Sequence, residues 1–157
     1  MSDGPNYDDD FYAWTQHQVM VLRTMAVADN RFDRENVVEE IESLGRSKRD
    51  AVRSPIRRII EHLLKLAYSP AQQQRFDWMA SMAEARADLG DKISPTLRRD
   101  AETMLARLYR DGRHRAELRL RGRVEMQAAD NLPGECPYSL DDIGRADWYP
   151  EPPGEKP

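Results

Sequence analysis

Apolar side chains recur every three or four positions through most of the chain, a spacing typical of amphipathic α-helices. It predicts a first helix near residues 11–25 that follows three carboxylates, which suit the positive end of a helix dipole. The expected inward face of this helix comprises Phe11, Trp14, Gln18, Leu22 and Met25. Asp33 is then predicted to cap a second helix. The expected inward face of that helix comprises Val37, Val38, Ile41 and Leu44.

The longest apolar stripe follows from Ser47 and predicts a third, central helix. Its members are Ile56, Ile59, Ile60, Leu63, Leu64 and Ala67. Gly45 lies between the second and third patterns, where a glycine either weakens a helix by about 1 kcal/mol relative to alanine or ends it. Pro55 either kinks a continuous helix or starts one capped by Ser54, and we favour the kinked continuous helix.

Two serine-proline pairs predict the next helix boundaries. Ser69-Pro70 is expected to end the third helix and open a fourth, which closes at Gly90-Asp91. The fourth helix has an apolar face of Trp78, Met82, Ala85 and Leu89. Ser94-Pro95 is expected to open a long fifth helix. Its apolar face comprises Leu97, Ala101, Met104, Leu105 and Leu108, and Ala116 and Leu120 continue it beyond Gly112.

The helical period disappears after about Asp130, yet the last segment carries large side chains that a free tail would leave in water. They are Tyr138, Leu140, Ile143, Trp148 and Tyr149. Ser139 with Asp142 matches a capping box for one short helical turn. No stretch alternates with period two, so no sheet is predicted. The sequence therefore predicts an all-α fold: an antiparallel bundle of about five helices in one domain, residues 1–157. An ordered C-terminal loop segment should pack across the bundle, with 1–7 and 151–157 as loose ends.

Composition narrows the class of protein. The 157 residues include 33% charged and 39% hydrophobic side chains, and no apolar run approaches the roughly 20 residues that span a bilayer. The N-terminus lacks the basic start and apolar stretch of a secretory signal, so a cytoplasmic location without a membrane partner is expected. A single cysteine, Cys136, excludes an internal disulfide and a thiolate zinc site. No cofactor is predicted.

Charge is distributed unevenly along the chain. Residues 1–42 contain 3 basic and 10 acidic groups, residues 43–125 contain 19 and 11, and residues 126–157 contain 2 and 7. Two acidic ends thus flank a basic middle. We expect the ends to pack against the central helices, whereas nucleic-acid binding would require an uncovered basic face.

Several motifs in this order resemble one bacterial family, known as domain of unknown function 29. They are Tyr7, Asp10, Trp14, Leu22-Arg23, the run 36–45 (NVVEEIESLG), the run 62–65 (HLLK), Tyr68, Pro70, Trp78, Ser94-Pro95 with Leu97, and Cys136-Pro137-Tyr138. The resemblance covers residues 7 to about 150. It implies a small helical protein without an established activity, and so leaves the function open.

Glu39 and Glu42 share a helix face because they are three residues apart. If the second and third helices are antiparallel, His62 approaches this pair and completes a cluster that can bind a divalent metal or act in acid-base catalysis. The alternative is that the glutamates form surface ion pairs and that His62 is hydrogen-bonded at a helix contact. A zinc site formed by His17, His62 and His114 is a further possibility, although only His62 falls in the family pattern.

The most basic stretch, 107–123, predicts a third kind of site. Arg110, Arg113, Arg119 and Arg121 are its nucleic-acid candidates, since arginine binds phosphate bidentately. Against this, the arginines spread around the helix and Asp111 and Glu117 interrupt them. The leading hypothesis is a non-enzymatic module that binds protein, with self-association included. A metal-dependent, possibly hydrolytic enzyme built on the Glu/His cluster is second, and nucleic-acid binding is third.

Overall fold

A computed structural model describes residues 4–154, and these residues form six α-helices and no strand. The four long helices are α1 (Phe11–Thr24), α2 (Arg34–Tyr68), α3 (Arg75–Lys92) and α4 (Pro95–Gly122). Two short helices follow, α5 (Met126–Asp130) and α6 (Leu140–Gly144). The predicted all-α class is confirmed.

Side-chain caps fix where three of the long helices begin. Asp10 accepts a hydrogen bond from the amide of Ala13 at 3.0 Å, and Asp33 accepts one from Asn36 at 3.2 Å. Ser94 accepts one from Leu97 at 3.2 Å, with Pro95 in the first helical position. Each oxygen satisfies an amide that has no partner within its own helix. The caps at Asp33 and Ser94 are those that the sequence predicts.

The predicted second and third helices are one helix, α2, of 35 residues. Gly45 does not interrupt it. A Cβ at position 45 would lie 2.8 Å from Oγ1 of Thr15, so the glycine permits α1 to lie close to α2. Pro55 is also inside α2, as the continuous-helix prediction has it, and is buried. Proline has no amide hydrogen, so α2 lacks one helical hydrogen bond at this position. Burial of the apolar residues that follow Pro55 offsets that loss.

Two local predictions are wrong. Helix α3 begins at Arg75 and not at Pro70, because Ser69 caps a turn instead: its hydroxyl accepts from the amide of Ala71 at 3.1 Å. In α1 the buried residues are Tyr12, Thr15 and Val19, one position away from the predicted stripe. The rings of Phe11 and Trp14 stack on one another at the surface instead, with Tyr7 edge-on to both.

The core lies where α2, α3 and α4 meet, and α2 supplies its centre. Nine of the eleven buried α2 residues fall between Val52 and Leu66. Contacts between α2 and α4 advance in the same direction along both helices, from Arg53 with Asp100 to Ser69 with Glu125. Helices α2 and α4 are therefore parallel neighbours, and α3 connects them by running the opposite way.

The C-terminal segment crosses the bundle, as predicted. Ile143 is fully buried, and the capping box between Ser139 and Asp142 is present. The Arg86 guanidinium donates to the carbonyls of Ile143, Trp148 and Asp142 at 2.9, 2.7 and 3.1 Å. The predicted loose ends fall partly outside the described residues, which begin at Gly4 and stop at Gly154. No helix within that range is both long and apolar enough to cross a bilayer.

Candidate functional site

The structure does not bring Glu39, Glu42 and His62 together. All three belong to α2, and the 20 residues between Glu42 and His62 correspond to about 30 Å of helix. The predicted cluster required two antiparallel helices where there is one. Glu39 instead pairs with Arg46 at 3.0 Å, and Glu42 pairs with Arg23 of α1. These are the surface ion pairs of the alternative interpretation.

The three histidines are also apart, on α1, α2 and α4. His17 and His62 are half-buried and His114 is exposed. Among residues 4–154, no group of three or more His, Cys, Asp or Glu side chains is placed to hold a metal ion. The described residues therefore do not form the Glu39, Glu42 and His62 cluster on which the hydrolytic hypothesis is based.

His62 does line a cleft between α2, α3 and α4, which we call the basic cleft. Its volume is about 630 Å³, and five cationic side chains surround it with one carboxylate, Glu61. The cations are Arg58, Lys65, Arg115, Arg119 and Arg123. The cations come from two elements. Arg58 and Lys65 lie on the same side of α2 as His62, and Arg115 and Arg119 are one turn apart on α4, with Arg123 directly after its end.

Trp78 of α3 forms one wall of the basic cleft. Nζ of Lys65 lies 5.0 Å from the Trp78 ring centre, and Cζ of Arg123 lies 5.6 Å from it. Both distances are within the range of a cation–π interaction. Lys65 also donates to Glu61 at 3.3 Å, and Arg123 to Glu125 at 3.0 Å. These two cations are thus already partnered.

The other three cations of the cleft are not. Arg58, Arg115 and Arg119 make no ion pair with any carboxylate of the described residues, whereas Arg53 and Arg57 of α2 pair with Asp100 at 2.7 Å and Asp111 at 3.1 Å. The same α2–α4 contact is therefore neutralised along one part of its length. It remains positive at the cleft.

Burial and charge act together on His62. Burial, and then the positive charge of Lys65, lower the pKa of His62 to about 4. The ring is therefore neutral at pH 7 and adds no charge to the cleft. Its Nδ1 is buried without a hydrogen-bond partner among residues 4–154. Burial is also the main cause that lowers the pKa of Lys65.

The four nucleic-acid candidates separate into two groups. Arg113 donates to the carbonyls of Pro133 and Leu132, and Arg121 pairs with Glu117 at 3.0 Å and Asp130 at 2.8 Å. Arg119 lines the basic cleft, while Arg110 lies exposed beside His114. The four do not form a continuous basic stripe on α4.

A second surface is formed by α1 and residues 34–51 of α2, which we call the α1–α2 arm. In its part of α2 only Val38 and Gly45 are buried. Among the described residues, five of the ten exposed large apolar side chains belong to the arm or to the turn between its helices: Met20, Val21, Met25, Phe32 and Leu44. Leu44 was predicted to face inward, but it is 50% exposed because α1 packs on the neighbouring side of α2, at Gly45.

The arm also contains a groove of about 360 Å³ between its two helices. Tyr12, Val19, Glu42 and Arg49 are among the side chains that line it. Nε of Arg49 is buried and donates to no acceptor of the described residues, since Oδ1 of Asp50 is 3.6 Å away. The groove therefore has the Arg49 side chain beside apolar walls. Sequence reasoning missed it because it depends on how closely Gly45 lets α1 approach.

Comparisons with known proteins give a family and a fold. The model of the family described as "Domain of unknown function DUF29" matches residues 6–149. A crystal structure of an alpha-helical protein of unknown function from Rhodospirillum rubrum superposes with a TM-score of 0.77 at 22% identity, over 92% of each chain. At that identity the likeness concerns the fold. No curated protein matches the chain.

Proposed function

We propose that this chain, which belongs to the family described as domain of unknown function DUF29, is a non-enzymatic module that binds another protein through its α1–α2 arm. The observation that carries the proposal is that half of the exposed large apolar side chains of the described residues lie on the arm or in the turn between its helices. Monomeric domains seldom expose large apolar patches without a binding role.

The chemistry of the arm supports a protein as the ligand. Met20 and Leu44 are 57% and 50% exposed, and methionine adapts its shape to varied partner surfaces. The arm also carries charged pairs, at Arg23 with Glu42 and at Arg46 with Glu39. Exposed apolar side chains together with polar and charged ones are typical of protein–protein interfaces.

The groove on the arm specifies one feature of the partner. Arg49 lines the groove together with the apolar side chains of Tyr12 and Val19. The expected partner segment thus presents a carboxylate or carbonyl oxygen to the Arg49 guanidinium and apolar side chains to Tyr12 and Val19. A second copy of the chain is included among such partners.

A matched set of variants tests the proposal. Met20→Ser with Leu44→Ser alters the arm, and Phe76→Ser alters a 78% exposed side chain on α3. Each protein is used to capture partners from a lysate of the source cells, the captured proteins are quantified, and each arm-dependent partner is purified for a direct affinity measurement. Light scattering over a concentration series measures self-association.

The expected result is a partner, or a dimer, that binds wild type and Phe76→Ser equally and the arm double variant at least tenfold more weakly. Circular dichroism establishes that all three proteins are folded. A partner that binds the arm variant as tightly as wild type would contradict the proposal. So would a protein that stays monomeric and captures nothing in an arm-dependent way.

A further inference from the structure

The basic cleft is separate from the arm and has its own chemistry. We propose that it binds a small molecule bearing a phosphate group, with Arg58, Arg115 and Arg119 as the anion ligands. This inference is independent of the protein-binding role proposed for the arm, since Leu44 and His62 are 18 residues apart on α2, or about 27 Å of helix.

The first argument is charge without compensation. Three arginines of the cleft have no carboxylate partner in the described part of the chain, and the one lining carboxylate, Glu61, is engaged by Lys65. Like charges gathered on facing helices repel, so the empty arrangement is unfavourable and an anion relieves it. Guanidinium groups suit phosphate because their parallel N–H donors match two phosphate oxygens.

The second argument is shape. A cleft of about 630 Å³ is within the usual range for small-molecule sites, about 300–1,000 Å³. Its walls are Trp78 on one side and the half-buried ring of His62 on the other, while Leu118 stands 58% exposed at its edge. These groups can contact an organic portion of the ligand next to its phosphate.

The third argument excludes a broad nucleic-acid face. A duplex requires cations spread along its phosphates, and α4 does not supply them: Arg113 and Arg121 are held by carbonyls and carboxylates of the chain. Three arginines without an ion pair in the described part of the chain, Arg58, Arg115 and Arg119, line one cleft instead. This favours a compact anion over a polymer.

The lysine and the tryptophan have a supporting role. Lys65 has a side chain that is only 7% exposed, and it is fixed between Glu61 and the Trp78 ring. Arg123 contacts the same ring and is paired with Glu125. Their positive charges remain in place before a ligand arrives, so less side-chain freedom is lost on binding.

Inorganic pyrophosphate and inorganic phosphate are the probes, titrated calorimetrically against a chloride solution of equal ionic strength. Arg119→Gln and Arg58→Gln each remove a cation of the cleft. Arg119→Lys retains the charge without the bidentate geometry. The control, Arg110→Gln, removes an exposed arginine of α4 outside the cleft. Proton NMR of the imidazole ring, assigned with His62→Gln, gives a local readout within the cleft.

We expect saturable binding of one pyrophosphate per chain, at least tenfold weaker in Arg119→Gln and in Arg58→Gln and unchanged in Arg110→Gln. Arg119→Lys should fall in between, and the His62 resonances should shift with the same affinity. Absence of saturable binding by wild type overturns the proposal. An equal loss of pyrophosphate affinity in Arg110→Gln also overturns it. So does a short duplex DNA that binds more tightly than pyrophosphate and is weakened equally by Arg110→Gln and Arg119→Gln. Either result would indicate a diffuse basic surface.

Discussion

Gly112 of α4 lies directly against Ile60 of α2: a Cβ at position 112 would be 2.8 Å from Cγ2 of Ile60 and 3.0 Å from the carbonyl oxygen of Arg57. The second of these atoms belongs to the backbone and cannot turn aside. The absence of a side chain at this one position therefore sets how closely the two parallel helices approach. The ion pair of Arg57 with Asp111 is adjacent to this contact.

Gly112→Ala should destabilise the protein by about 1–2 kcal/mol. The added methyl group overpacks the contact at a cost of about 1–3 kcal/mol, which exceeds the gain of up to about 1 kcal/mol in helix propensity. Urea denaturation measures the difference. The matched control is Gly90→Ala in α3, where nothing lies within 4 Å of an added Cβ and stability should rise. Equal effects at the two glycines would refute this explanation of Gly112.

Removing His62 should flatten the dependence of stability on pH. The native pKa of about 4 is below the value near 6.5 of an unfolded histidine, so the unfolded chain takes up the proton first as the pH falls. The stabilisation is complete above pH 6.5 and is lost between pH 6.5 and 4. Allowing for the partial exposure of the ring, the loss amounts to about 2 kcal/mol.

The measurement compares the unfolding free energies of wild type and His62→Gln at several values between pH 7 and pH 4.5. Subtracting the two curves removes the contribution of carboxylates that titrate in both proteins. Arg58, Glu61 and Lys65 of α2 and Arg119 of α4 face the ring and are the same in both. A difference curve that is flat across this interval would be inconsistent with a buried neutral imidazole.

Val124 should be replaceable by glycine with a gain in stability. Its φ of 63° is in the left-handed region, which costs a β-branched residue about 1–2 kcal/mol. The amides of Val124 and Glu125 donate to the carbonyls of Arg121 and Leu120 at 3.0 and 2.9 Å, which is the Schellman pattern that normally places glycine at this position. Val124→Gly should raise the free energy of unfolding by about 1 kcal/mol. Val124→Ala should raise it less, and a lower stability for the glycine variant would argue against strain at this residue.

Arg86 should be the main attachment of the C-terminal segment. It is 5% exposed and donates to three carbonyls of that segment. Its Cζ also lies 5.2 Å from the centre of the Tyr149 ring. Arg86→Leu leaves these carbonyls without a donor, and we expect a loss of about 2–4 kcal/mol. Hydrogen exchange should become faster in residues 140–150 before the core opens.

The control for Arg86 is Asp141→Asn, which removes the exposed ion pair with Arg98 in the same region. An exposed pair contributes less than about 1 kcal/mol, so this variant should remain close to wild type. If Arg86→Leu were no more harmful than Asp141→Asn, the segment would be held by apolar contacts such as Ile143 alone.

Periodicity was sufficient to predict the helices, because burying one face of each helix is the dominant favourable energy of the fold. It left open whether Gly45 ends a helix, and it favoured, without requiring, a continuous helix through Pro55. Both residues disfavour a helix locally. Whether the helix continues through them is decided by tertiary contacts: those of Thr15 with Gly45, and those of the buried apolar residues after Pro55. The error at Pro70 has the same origin, since Ser69 bonds to Glu125, 56 residues away.

The candidate site was harder to predict for a related reason. Placing Glu42 beside His62 depended on a break in α2 that does not occur. The basic cleft, by contrast, has a signal in the sequence: arginines at 115, 119 and 123 and cationic residues at 58 and 65 each recur at helical spacing. Pairing the two stripes requires knowing that α2 and α4 run parallel, and no local pattern contains that information.

The 35-residue length of α2 has a mechanical consequence. One uninterrupted helix carries Leu44 at one end and Lys65 towards the other, so the two binding surfaces are held at a fixed separation of about 30 Å. A small molecule is too short to contact both surfaces. Substitutions this far apart that share no contact partner contribute independently to the free energy of unfolding. Combining an arm substitution with a cleft substitution should thus give the arithmetic sum of the two separate changes in stability.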